Sequence, residues 1–133
     1  MKALLDTNII IHRESAKVIN QDIGTLYRWL DRAQYIKCVH SLTISEIEKH
    51  KNLSTIDTFL IKLASYEKIE IPSPLQDEVK IISESEDINE NDKNDTMLLN
   101  EVFVGRVDIL ITEDKKIHNK ALKLDIVDKV FTI

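Results

Sequence analysis

Apolar residues fall along this chain in short runs separated by amphipathic stretches. The first run, Lys2-Ala3-Leu4-Leu5, leads directly into Asp6-Thr7-Asn8. A run of that length suits a buried strand and is too short for a stable helix. Residues 35–39, 68–71, 107–111 and 130–133 have the same character and predict four further strands. Between the runs the apolar spacing becomes helical. It predicts a short helical turn over residues 8–12, a mobile loop over 13–20, and a helix over about 22–33. Ile23, Leu26, Trp29, Leu30 and Ala33 are expected on the inner face of that helix. Helices are likewise predicted over residues 42–50, 53–65, 76–83, 92–104 and 115–124. Phe59, Leu60 and Leu63 should face inward from one of these, and Met97, Leu98, Val102 and Phe103 from another. Gly105 stands at the expected helix stop, and Pro72-Ser73-Pro74 closes the third strand.

Strands alternating with helices imply an α/β fold, with a largely parallel sheet covered on both faces. Right-handed crossovers leave few topologies. The simplest places the first strand at the centre, beside the strand over residues 107–111. Both end in carboxylates, Asp6 and, after Thr112-Glu113, Asp114. Ligands of such sheets bind outside the carboxyl ends of the strands, where strand order reverses.

Composition narrows the function classes. With 133 residues, 43% apolar and 31% charged, one soluble domain over residues 1–133 is expected. The apolar last strand, with no polar tail, suggests a native chain continuing past Ile133. A net charge of −5 gives no general basic field for nucleic acid, so a polyanion binder would need a local Lys/Arg rim or bound cations. The single Cys38 excludes an internal disulfide and thiolate-rich zinc sites, and its apolar neighbours predict a buried thiol. Two glycines, Gly24 and Gly105, are too few for a phosphate-cradling loop. No signal-peptide core and no apolar stretch of about 20 residues is present, so a cytoplasmic protein without a membrane span is expected. His12, His40, His50 and His118 form no pair at metal-binding spacing, although His50 shares a helix face with Glu46. Ser41, Ser45 and Ser54 sit in no nucleophile elbow.

The acids carry the chemistry. Carboxylates of Asp6 and Asp114 a few ångströms apart must take up a proton or share a cation. All-oxygen ligation favours Mg²⁺ or Mn²⁺ over zinc. Thr112 and Asn8 can add a hydroxyl and an amide oxygen. Glu46, in the first turn of its predicted helix, and Asp95, with Asp92 one turn earlier, are placed at the same sheet edge. Each also has a local alternative. Thr43-x-x-Glu46 fits a capping box, and Asn91 or Asp92 with Asp95 fits ordinary capping. The acidic stretch from Glu84 to Glu90 reads as a solvated loop.

Four segments occur in order: Leu4-Leu5-Asp6-Thr7-Asn8, Thr43-Ile44-Ser45-Glu46-Ile47, Asn94-Asp95-Thr96-Met97-Leu98-Leu99 and Ile109-Leu110-Ile111-Thr112-Glu113-Asp114. Together they resemble the PIN-domain family of metal-dependent ribonucleases, from Ala3 to the last strand. The resemblance implies a three-layer α/β/α sandwich around a five-stranded parallel sheet. It implies a catalytic, metal-holding set of Asp6, Glu46, Asp95 and Asp114, supported by Asn8 and Thr112 and, less firmly, Asp92. One or two Mg²⁺ or Mn²⁺ ions would serve hydrolysis of RNA to products with a 5′-phosphate and a 3′-hydroxyl. Arg13, Lys49, Lys51, Lys115 and Lys116 are candidates to hold flanking RNA phosphates. Proteins of this type include toxins paired with an antitoxin and N-terminal domains of longer chains, so an antitoxin, a further C-terminal domain or a homodimer are the partners implied. The alternative is a catalytically silent PIN-like scaffold. Phosphatases of the haloacid dehalogenase type want a second Asp where Asn8 stands, and response-regulator receivers want an acid pair that is missing.

Overall fold

Side chains along the central strands point alternately to opposite faces, both of them buried, and that alternation sets the two helical layers. The structure is a computed structural model and describes residues 1–14, 21–50 and 53–133. Strands β1 (Lys2–Leu5), β2 (Ile36–His40), β3 (Glu67–Ile69), β4 (Ile109–Ile111) and β5 (Val130–Phe131) form one sheet, ordered β3-β2-β1-β4-β5. Every adjacent pair is parallel. The helices are α1 (Thr7–Glu14), α2 (Gln21–Arg32), α3 (Ser41–His50), α4 (Leu53–Lys62), α5 (Asp77–Glu86), α6 (Glu90–Phe103) and α7 (Lys115–Lys123). Ala3, Leu5, Val39, Ile109 and Ile111 point into a core shared with Ile9, Ile10, Ile23, Leu30, Ile47 and Phe59 of α1 to α4. Their neighbours Leu4, Cys38 and Leu110 point into the opposite core, with Val79, Leu98, Leu99, Val102, Ile117 and Ala121 of α5 to α7. The period of two is what one sheet between two helical layers requires. The three-layer α/β/α architecture is the one the sequence implied.

The chain steps from β1 outward through β2 and β3, then returns to β4 on the other side of β1. Strand order therefore reverses between β1 and β4, and a crevice opens at their carboxyl ends. Ala3, Leu4 and Leu5 lie in register with Ile109, Leu110 and Ile111, which brings Asp6 level with Thr112.

Several local expectations change. The turn expected over residues 8–12 is part of the eight-residue helix α1. Residues 15–20 of the expected loop lie outside the described residues. On α2 the buried aromatic is Tyr27, at 4% exposure, whereas Trp29 is 51% exposed and stacks on Tyr35 at 5.5 Å. Tyr27 is held inside because its hydroxyl bonds that of Tyr66 at 2.6 Å. Ala33 is exposed as well. Gly105 does end α6: at φ +80° it donates to the Val102 carbonyl, and Arg106 donates to that of Glu101, both at 3.0 Å. Cys38 is a buried free thiol. Among the described residues no helix is long and apolar enough to cross a membrane.

Candidate active site

Asp6 occupies the residue after β1 and is 7% exposed. Its N–H donates to the Ile111 carbonyl at 3.1 Å, fixing it against β4, and its own carbonyl receives the Ile10 N–H at 3.2 Å to open α1. The Asp6 carboxylate accepts the Thr112 hydroxyl at 2.6 Å and the Thr7 N–H at 2.7 Å. Thr112 is fully buried, and its oxygen in turn accepts the Asp114 N–H at 3.1 Å. One hydroxyl thus orients the acids of both neighbouring strands. Asp114 caps α7 by accepting the Lys116 N–H at 2.8 Å.

Glu46 lies in the second turn of α3, because that helix begins at Ser41. The capping box with Thr43 is not the arrangement observed. Instead Glu46 accepts the Thr7 hydroxyl at 2.8 Å and the Asn94 amide at 3.3 Å, reaching toward α1 and α6. Asp95 projects from α6 toward the same cavity as Asp6 and Asp114. Asp6, Glu46, Asp95 and Asp114 all line one cavity of about 370 Å³, together with Thr7, Asn8 and Asn91.

The crowding leaves an electrostatic signature. Burial, then the charges of Asp6 and Asp114, push the Asp95 carboxyl up to about 8. Burial also raises Asp6, against the opposing pull of the Thr112 and Thr7 hydrogen bonds, and Glu46 and Asp114 add to the rise. The cavity therefore holds more carboxylate charge than it can keep ionised unaided. Hard oxygen donors without imidazole or thiolate suit Mg²⁺ or Mn²⁺. Among the described residues, no three His, Cys, Asp or Glu side chains already stand arranged around a common ion. The donor set fits such a cation chemically, and the side chains would have to draw together around it.

Asp92 does not join these acids. Asn89, not Asn91, caps α6 through the Asp92 N–H at 2.9 Å. The Asp92 carboxylate accepts the Ile88 N–H at 3.1 Å and approaches the Lys116 ammonium at 3.4 Å. Those contacts hold it below the usual carboxylate range, on a separate cavity with Glu86 and Lys120. The side chain of Asp87, in the expected solvated acidic stretch, is instead buried against Lys120. Among the candidate RNA-binding residues, Lys49 and Lys115 are exposed and Lys116 is 67% exposed. Arg13 lies 4.9 Å from the centre of the Tyr27 ring, against the core. Lys51 lies outside the described residues, as do the side chains of His12, His50 and Ser54. His40 is buried away from the cavity. Its Nδ1 accepts the Leu42 N–H at 3.1 Å, so the proton sits on Nε2, which donates to Glu101 at 3.1 Å.

Thr7, Asn91 and Asn94 are site residues that sequence reasoning missed. The motif around Asp6 contains Thr7, but nothing local shows that its hydroxyl reaches Glu46, 39 residues on.

A parallel five-stranded sheet in the order 3-2-1-4-5, between two helical layers, defines a PIN-like fold. The chain is similar in structure to a chain of VapBC2 from Rickettsia felis, in the crystal structure of VapBC2 bound to a DNA fragment from their promoter. The TM-score is 0.65, covering 99% of this chain and 98% of that one, at 14% identity. No family profile matches the sequence, and no curated protein matches it.

Proposed function

We propose that the chain is a divalent-metal-dependent ribonuclease that hydrolyses RNA phosphodiesters at the cavity of Asp6, Glu46, Asp95 and Asp114. The observation carrying this reading is the meeting of four carboxylates, from separate elements, at the reversal point of the sheet. Mg²⁺ or Mn²⁺, as one ion or two, supplies when bound a hydroxide near neutral pH and a counter-charge for the phosphate. Asp6 and Asp114 are the central ligands, with Glu46 and Asp95 completing the set. Thr112 keeps Asp6 and Asp114 in position, while Thr7 and Asn94 hold Glu46. Asp95, on α6 at the edge of this cavity, would orient or deprotonate the attacking water once a bound cation holds its carboxylate ionised. Lys115, exposed at the start of α7 beside Asp114, and Lys116, released from Asp92, would meet flanking phosphates.

Single-turnover cleavage of end-labelled RNA with Mn²⁺ tests this, comparing wild type with Asp6→Asn. Cleavage by the wild type that Asp6→Asn abolishes supports the nuclease. A second reading, a catalytically silent scaffold, draws on the lack of a ready-made ion cage among the described residues. It gains if the wild type cleaves no RNA. The likeness to VapBC2 makes a toxin paired with an antitoxin chain the regulatory arrangement to look for.

A further inference from the structure

On the separate cavity of Glu86 and Asp92 lies a buried cation that the chemistry above does not use. Lys120 of α7 is 4% exposed. Its ammonium lies 2.5 Å from Asp87 Oδ1, 3.0 Å from Thr96 Oγ1 and 3.4 Å from the Asp92 carbonyl oxygen. The other oxygen of Asp87 accepts the hydroxyls of Ser83 at 2.6 Å and Thr96 at 2.7 Å. Every proton of the ammonium has an acceptor. A buried ion pair commonly stabilises no better than apolar residues of the same volume, so stability alone does not explain its form. Its position offers a reason. Thr96 follows Asp95 on α6, and Lys120 belongs to the helix that Asp114 caps. One ammonium therefore ties the carrier of Asp95 to the carrier of Asp114.

We propose that Lys120 is a positioning residue for the acid cavity, holding α6 and α7 at the spacing that lets the Asp95 and Asp114 carboxylates share one divalent cation. This rests on the metal-site reading given above. The positive charge also acts on Asp95 against its acidic neighbours.

Mn²⁺ binding to the full chain, measured by isothermal titration calorimetry beside urea unfolding, tests it. Lys120→Met should weaken Mn²⁺ binding about tenfold or more, the range seen for residues that orient metal ligands. Val79→Ala, which opens a space at a fully buried position of α5 in the same layer, should lose stability yet keep its Mn²⁺ affinity. If Lys120→Met loses stability alone and binds Mn²⁺ as wild type does, the inference is overturned. Should Lys120→Met fail to fold, Thr96→Val decides. That variant deletes only the hydroxyl between Lys120 and Asp87, so weaker Mn²⁺ binding supports the inference and unchanged binding refutes it. A wild type that binds no Mn²⁺ overturns the metal-site reading and this inference with it, whereas equal binding by wild type and variants overturns this inference alone.

Discussion

Replacing Asp95 by Asn should make the metal-free protein more stable. The Asp95 carboxyl titrates near 8 in the folded chain against 3.8 ordinarily. Between those values the folded chain keeps a proton that the unfolded chain has released. Stability is therefore lost as pH rises from about 4 to about 8, with no further loss above that. Four units at about 1.4 kcal/mol each would set a ceiling near 6 kcal/mol. Asp95 is only half-buried, so water screens the repulsion and about 1–2 kcal/mol is the expected share. Asn removes the charge. Urea unfolding in EDTA at pH 5 and pH 8 measures the effect. The variant should exceed the wild type by about 1–2 kcal/mol at pH 8, with a smaller gap at pH 5. Saturating Mn²⁺ should reverse the order, because binding to the folded state alone stabilises it. A variant less stable than wild type at pH 8, or with the same pH slope, would refute the crowded-carboxylate argument.

Thr112→Val should destabilise by about 1–3 kcal/mol, since Asp6 and the Asp114 N–H both lose a buried partner, and it should raise the Mn²⁺ concentration needed for binding. Asp87→Ala should lose about 3–5 kcal/mol in urea unfolding by stranding Lys120, while Lys123→Ala, breaking a surface pair with Glu86, should lose under about 1 kcal/mol. Gln34→Gly should stabilise by about 0.5–1 kcal/mol in thermal unfolding. Gln34 ends α2 at φ 60°, a left-handed conformation that glycine adopts without strain.

The sheet was readable because short, mostly apolar strand runs of two to five residues need only their own neighbours to declare themselves. The acids that line the cavity were readable for a related reason, since each stands at the end of a strand or early in a helix facing the same sheet edge. The misreadings share one cause. Tyr27 belongs inside because of Tyr66, Asp87 because of Lys120 and Glu46 faces α1 because of Thr7, all partners more than 30 residues away. Periodicity ranks side chains by local pattern and cannot see a distant hydroxyl or ammonium. Trp29 shows the converse, a large apolar residue at a plausible inward position that stays half-exposed, stacked on a Tyr35 that is itself only partly buried.

Asp6 and Thr112 touch across 106 positions of sequence, with β1 waiting for β4 throughout. During synthesis on the ribosome, everything needed for the first three strands emerges while the cavity still lacks one wall. No fragment ending before Asp114 can gather the full set of acids, so the cavity gains its last wall only when β4 docks beside β1.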